Sequence, residues 1–368
     1  MKTPKSLIYT CVILLAASLA RAQEEKFDPG TLREMAQRGN PDAQFELGLR
    51  LLGGEGLDKN VDEAAKWLDK AAAQEHPGAM NAMGTLTQEG MGLPKDEKKA
   101  IEWFEKSAKS GFPLAEMNLS EAYESGKGVE KNETKAAEWL EKAAKQEFPQ
   151  AQAAFAWKLE HGQGVTKDTP LAASWYLKAA QQGLVAAQTH LAYMYYTGEG
   201  VPLDYGRAEA WYRFAARSDD PWAHNDLAWF LATCPDLSHH DAETAIEFAR
   251  SAGDKLKGER YEVVDTLAAA LARAGKFGEA VQTQLKAIVM LDKDKSREIK
   301  PEERAKLEKE LSDRLSLYKK QHPYSDDEAK PEAGTKPMID DRILQEQELP
   351  RKKKHAPKGG DSDRPVVS

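Results

Sequence analysis

The sequence predicts an all-α fold: an α-solenoid, a right-handed superhelix of stacked antiparallel helix pairs built from 36-residue repeats. Three series carry that expectation. Trp67, Trp103, Trp139, Trp175 and Trp211 are spaced 36 residues apart. Gly54, Gly90, Gly126, Gly162 and Gly198 follow the same spacing, each with a second glycine two residues later (Gly56, Gly92, Gly128, Gly164, Gly200). Asn60, Asp96, Asn132, Asp168 and Asp204 form the third series. Self-similarity at one fixed period over residues 41–220 marks five stacked units rather than several globular domains.

Residues 1–22 read as an address. Lys2 and Lys5 precede an apolar run from Leu7 to Leu19, and Ala20-Arg21-Ala22 offers a small-x-small cleavage site. This is the pattern of a secretory signal peptide, with an apolar run too short for a membrane span. Cleavage after Ala22 removes three bases and no acid, taking the net charge from −8 to −11. It also removes Cys11 and leaves Cys234 as the sole cysteine, so stability is expected to come from packing rather than from a disulfide. A periplasmic or secreted location follows as an expectation.

Residues 23–40 are expected to form an N-terminal cap, and 41–220 the five repeats. Each first helix opens near a proline (Pro41, Pro77, Pro113, Pro149), a residue suited to a first helical turn. Its inner face in the fourth unit is Ala151, Phe155, Ala156 and Leu159. The first glycine of the pair closes it, because glycine accepts the left-handed conformation of a helix C-terminus. The Asn/Asp series caps the second helix, whose apolar stripe in the first unit is Ala64, Trp67, Leu68, Ala71 and Ala72. The tryptophans are expected to fill the volume between helices, and the Lys59, Lys95, Lys131, Lys167 row to form a solvated ridge.

These motifs resemble one family. Gly-x-Gly-Val (ending at Val129, Val165 and Val201), a following Lys-Asn/Asp, then Ala-x-x-Trp-x-x-Lys-Ala-Ala is similar to the SEL-one-like repeat, a 36-residue relative of the tetratricopeptide repeat. The first unit departs at Leu57 and Glu75, where the family favours Val and Gly. The resemblance implies an exported scaffold or adaptor that mediates protein–protein interaction through a concave groove. Some secreted relatives are described as penicillin-binding or β-lactamase-like. The alternative it raises is therefore cell-wall binding or hydrolase activity, although this chain lacks the paired cysteines of those relatives.

Beyond the repeats the pattern loosens. Residues 221–292 read as tetratricopeptide-like helix pairs, with Cys234-Pro235-Asp236 replacing the glycine turn. Asp241 caps the next helix beside two solvated histidines, His239 and His240, and Cys234 is expected to be partly buried. Residues 293–322 read as a connector and a C-terminal capping helix with a polar outer face. Residues 323–368 hold six prolines and no Phe or Trp, a composition that cannot offset ordering entropy, so a disordered tail is expected. It ends in a basic run, Arg351-Lys352-Lys353-Lys354.

Chemistry is sparse. No zinc-protease helix, phosphate loop or nucleophile elbow is present. Ser316-Leu317-Tyr318-Lys319 matches Ser-x-x-Lys without the motifs that accompany it in β-lactamases. An acidic balance argues against nucleic acid. The expectation is no catalysis, no metal and no cofactor. The partner is expected to be a protein or peptide of the cell envelope, and the chain a monomer without a stable membrane span. The ninth position of each first helix can face the groove, and there Trp157, Tyr193 and Trp229 form an aromatic line across three consecutive units. Asn118, His190, Asn225 and Tyr196 lie at nearby groove positions. Aromatics give large contact area at low entropy cost, so this set is the candidate partner-binding site.

Overall fold

A computed structural model describes residues 28–293 and 299–326. The segment expected to be a signal peptide, with Cys11, residues 23–27 of the expected cap, and residues 327–368 of the expected tail lie outside the described residues. Within them the chain is all-helical. The helices are α1 (Pro29–Gln37), α2 (Pro41–Gly53), α3 (Val61–Ala72), α4 (Pro77–Glu89), α5 (Glu97–Lys109), α6 (Pro113–Ser125), α7 (Glu133–Lys145), α8 (Pro149–His161), α9 (Thr169–Gln181), α10 (Val185–Thr197) and α11 (Tyr205–Ala215). After the fifth unit come α12 (Pro221–Thr233), α13 (Ala242–Lys255), α14 (Tyr261–Arg273), α15 (Phe277–Lys293) and α16 (Pro301–Lys319). Each helix packs on the ones before and after it, as a solenoid requires.

The Asn/Asp series both starts and anchors the second helices. Asn60, Asp96, Asn132, Asp168 and Asp204 accept the N–H three residues on, from Glu63, Lys99, Lys135, Leu171 and Arg207. Their own N–H groups donate back into the preceding helix, to the carbonyls of Leu51, Thr87, Tyr123, Leu159 and Tyr195, at 2.7–2.9 Å. One residue thus closes the interhelical loop from both sides, and each side-chain cap contributes about 1 kcal/mol.

The glycine pair divides its work. The first glycine is the left-handed C-cap of each first helix. The second allows a close approach between units. A Cβ on Gly164 would stand 2.0 Å from the Glu133 carbonyl oxygen, and one on Gly128 2.3 Å from that of Glu97. Each turn therefore rests directly on the first residue of the preceding unit's second helix. Gly56 has no preceding unit, and nothing lies within 4 Å of its Cβ position.

Side chains reinforce the same junctions. The fourth-position glutamines reach back to the previous second helix: Gln44, Gln152 and Gln188 donate to the carbonyls of Ala36, Ala144 and Ala180. Gln74, Gln146 and Gln182 then donate to Gln44, Glu116 and Gln152 at 2.7–2.8 Å. The first three bonds are buried and the other three half-buried, and all of them join one unit to the next, so they serve stacking rather than recognition.

The first four tryptophans correct the expectation. They are only partly buried, and the volume between helices is filled by alanines, Leu68, Phe104 and Leu140. Their rings carry the ammonium of Lys70, Lys106, Lys142 and Lys178, 3.8–4.8 Å from the ring centroids. The long side chain covers the ring while its charge stays in water. The lysine ridge is paired in part, with Lys95 on Glu97, Lys131 on Glu133 and Lys167 on Glu199.

Three expectations at the C-terminal end change. Cys234 is fully buried, which pushes its thiol up to about 11, beyond ready ionisation. His239 and His240 are not solvated: His239 Nδ1 lies 2.7 Å from Glu209, and His240 Nε2 lies 2.6 Å from the Cys234 carbonyl. Asp241 does cap α13, accepting from Thr244. Finally, residues 323–326 are not tail. Arg273 donates to the Tyr324 carbonyl at 2.6 Å, and the Asp326 N–H donates to Thr233 at 2.8 Å. Arg273 also holds the Ala232 carbonyl, so one guanidinium clamps the returning segment to the end of α12.

The capping helix α16 buries Leu311, Leu315 and Tyr318, and also a charge. Arg314 and Asp265 pair at 2.9 Å, and Gln284 donates to the same carboxylate at 2.8 Å. Such a pair needs its remaining valences filled to offset desolvation, and Gln284 supplies one of them.

Gly164→Ala is expected to lower stability by more than ~2 kcal/mol, since a methyl group has nowhere to go. Gly56→Ala is expected to cost only about 1 kcal/mol, the left-handed backbone penalty alone. Paired urea denaturation curves would check the contrast.

Candidate functional site

The first helices repeat every 36 residues, so their fifth, sixth and ninth positions line up from unit to unit. Between α10 and α12 this alignment opens a cavity of about 290 Å³. Thr189, His190 and Tyr193 line it from α10, Asn225, Asp226 and Trp229 from α12, and Tyr212 from α11. Four expected site residues thus meet here: His190, Tyr193, Asn225 and Trp229.

Tyr193 is the most available. It is 49% exposed, and no other described Phe, Tyr or Trp is exposed. Its ring lies 6.5 Å from that of His190. His190 in turn is fixed by Glu160 of α8, whose carboxylate accepts from His190 Nε2 at 2.8 Å and from the Tyr176 hydroxyl at 3.1 Å. Burial raises the Glu160 pKa, but the His190 bond and charge and the Tyr176 hydroxyl outweigh it and hold the carboxyl below its ordinary value.

Trp229 is held rather than free. Tyr324 packs on it with centroids 5.9 Å apart, and the Arg314 guanidinium lies 5.4 Å from its ring. Part of its edge still reaches the cavity. Asn225 is 9% exposed, and its Oδ1 has no hydrogen-bond partner. Beside it Asp226 faces the cavity. Enclosure by protein pushes its carboxyl up to about 6, against a smaller lowering from Asn225, and the charge of Asp220 pushes it further up. Among the described residues no cation pairs with it.

The other three expected residues stand elsewhere. The Trp157 ring stacks on His161 of its own helix at 4.4 Å and packs partly against the core. The continuous aromatic line therefore reduces, as an exposed feature, to Tyr193. Asn118 donates to Asn81 at 2.8 Å, which engages its amide within the stack. Tyr196 is a core residue at 6% exposure, its ring edge-on to Phe230, and its hydroxyl looks toward Asp326 without closing a hydrogen bond. Phe230 of the following unit covers the ring, whereas Leu52, Gln88 and Glu124 at the same position of the first three units are only half-buried.

Asp226, Thr189 and Tyr212 escape the sequence reading of the site. Asp226 occupies the same sixth position as Asn118 and His190, so the period itself marks it. Tyr212 follows the last tryptophan, where other units carry Leu68, Phe104 and Leu140. Tyr324 and Asp326 carry no periodic signal.

Comparison with known proteins agrees with this architecture. The Sel1 repeat family matches five consecutive stretches: 41–76, 77–112, 113–148, 149–184 and 185–220. A solved Sel1 repeat protein from Oxalobacter formigenes is similar at 29% identity and a TM-score of 0.56, covering 66% of this chain and 99% of that one. A protective antigen of uropathogenic Escherichia coli strains with an SLR fold is similar at 24% identity and a TM-score of 0.59, covering 84% and 68%. At that identity the likeness concerns fold alone. Among curated proteins none matches.

Asp226 gives a pH prediction. Its folded value of about 6 exceeds the ordinary 3.8, so the folded state binds the extra proton between those values. Stability therefore falls as pH rises through that window, and the ionised carboxylate destabilises the fold at neutral pH. Asp226→Asn is expected to raise stability by about 1–3 kcal/mol at pH 7.5 and to change it little below about pH 4, as thermal melts across pH would show.

Proposed function

Residues 41–220 belong to the Sel1 repeat family, and from that premise we propose that the chain is an exported, non-catalytic scaffold that holds a protein partner on the face formed by its first helices. Sel1 repeat proteins generally act as protein-interaction scaffolds. The observation that carries the reading is Tyr193: an exposed ring, beside a cavity of mixed polar and aromatic lining, on a surface whose remaining aromatics are covered. Exposed tyrosine is costly to leave in water and is a favoured anchor at interfaces.

The partner is a segment of another protein rather than a nucleic acid. The carboxylates Glu160, Glu199, Asp226 and Asp326 surround Tyr193 and Tyr212, a field that repels phosphates. Export rests on the tripartite pattern of residues 1–22 and places the partner in the cell envelope. Among the described residues no helix is long and apolar enough to cross a membrane.

The test is photo-crosslinking in cells from position 193, with mass spectrometry of the product. A discrete protein adduct is expected from position 193 and none from Lys66, which is exposed on a second helix. Tyr193→Ala is expected to change stability by less than about 0.5 kcal/mol while weakening that partner more than about tenfold. An unchanged affinity would remove this face from the function.

A further inference from the structure

We infer that the cavity between α10 and α12 is a receptor for a primary ammonium, the lysine side chain of the partner segment. This rests on the scaffold reading and specifies which chemistry the partner presents.

Two buried or enclosed aspartates on this chain pose the same problem and receive different answers. Asp265 is paired with Arg314 at 2.9 Å and bonded by Gln284. Asp226 has an amide neighbour in Asn225 but no counter-charge, and at longer range it faces another carboxylate, Asp220. An enclosed carboxylate without a counter-charge costs free energy that a well-placed cation returns. The cavity beside it is empty of protein and large enough for a side chain.

The lining matches a lysine. Asp226 offers a carboxylate, and Asn225, which lines the same cavity, holds beside it a second acceptor, a buried Oδ1 that no protein group occupies. An ammonium has three donors for two such sites, while a planar guanidinium requires a bidentate face. Trp229, Tyr193 and Tyr212 supply ring walls for the four methylenes and for cation–π attraction. Asp326 and Glu160 add negative potential near Tyr193. The local bases are engaged elsewhere, Arg314 on Asp265 and His190 on Glu160.

The experiment is an NMR titration of the full chain with Nα-acetyl-lysine methylamide, using Nα-acetyl-norleucine methylamide, which keeps the four side-chain carbons and lacks the ammonium, as the uncharged control. The lysine probe is expected to shift the Asn225 side-chain and Tyr193 resonances. The norleucine probe is expected to bind at least about tenfold more weakly, and Nα-acetyl-arginine methylamide more weakly than lysine. Asp226→Asn, which relieves rather than strains the fold, is expected to lower lysine affinity by about tenfold while its melting temperature does not fall. Equal binding of lysine and norleucine, an unaltered affinity in Asp226→Asn, or no binding of the lysine probe would overturn the assignment. Binding that appears only when Arg351, Lys352, Lys353 and Lys354 are changed to Gln would make the chain's own tail the occupant and overturn the partner assignment. If the probes fail while the adduct from position 193 persists, the lysine receptor falls and the scaffold stands. Loss of both removes the surface altogether.

Discussion

The structure depends on a backbone contact that a single hydrogen atom makes possible. At Gly128, Gly164 and Gly200 the turn of one unit sits so close to the first carbonyl of the previous second helix that a Cβ would overlap it, at 2.0–2.5 Å. Contact between rigid backbones leaves no slack. It sets the separation of neighbouring units in the same way each time, and the 13-residue first helices then keep their faces in phase. The glutamine bonds at the fourth position act across the same junctions and add polar satisfaction to a geometry that the glycines have already fixed. At the junction of α10 with α12 the glycine turn gives way to Cys234-Pro235-Asp236, and Phe230, packed on both Tyr196 and Tyr212, holds the two helices together there, with His190 beside Asp226 and Tyr193 beside Trp229.

The two ends solve a different problem, since a terminal unit has a neighbour on one side only. At the N-terminal end α1 covers the first unit with Leu32 and Ala36, both fully buried. At the C-terminal end α16 covers the last pair with Leu311 and Tyr318 and brings a charge with it. The Arg314–Asp265 pair ties that helix to α14, since the buried Asp265 carboxylate takes its counter-charge from Arg314. Arg314 then lies over Trp229 and near Tyr324, and Arg273 clamps the segment that follows. The end cap thereby reaches the edge of the candidate site. The same guanidinium that closes the core also fixes one wall of the cavity.

What the sequence reveals depends on whether a feature repeats. Repeat boundaries, caps and the glycine turns were legible because five copies average out local accidents, and a residue that recurs at a fixed period must do a recurring job. The site was legible only in part. Position nine brings Tyr193 and Trp229 to one cavity, yet Tyr324 and Arg314 lie against Trp229, Trp157 folds onto His161, and Tyr196 at position twelve turns inward. Exposure within a stack depends on which neighbour leans over a ring, and periodicity is silent about that. The tryptophan series misled for a related reason: recurrence proves a role without proving burial, and a lysine three residues on can cover a ring as a neighbouring helix would. Tyr324 and Asp326 were illegible altogether. Their placement rests on Arg273 and Thr233, 51 and 92 residues away in the chain for the Tyr324 and Ser325 contacts, and no local pattern encodes a pairing at that distance.

A solenoid is a suitable place to keep an unpaired carboxylate. Each unit contacts only its neighbours, so a local penalty is shared by two interfaces and does not spread through a global core. Asp226 sits at the junction where the strict repeats end, and that junction carries extra support. Phe230 packs on both Tyr196 and Tyr212, Arg273 ties the end of α12 to the returning segment, and Arg314 holds Trp229. These contacts surround the carboxylate without neutralising it. A surface built to be stable and nothing more would place an uncharged residue at position 226, as the second and fourth units do with Ala82 and Ala154. The charge is kept where its cost is locally supported and where an exposed tyrosine marks the way in.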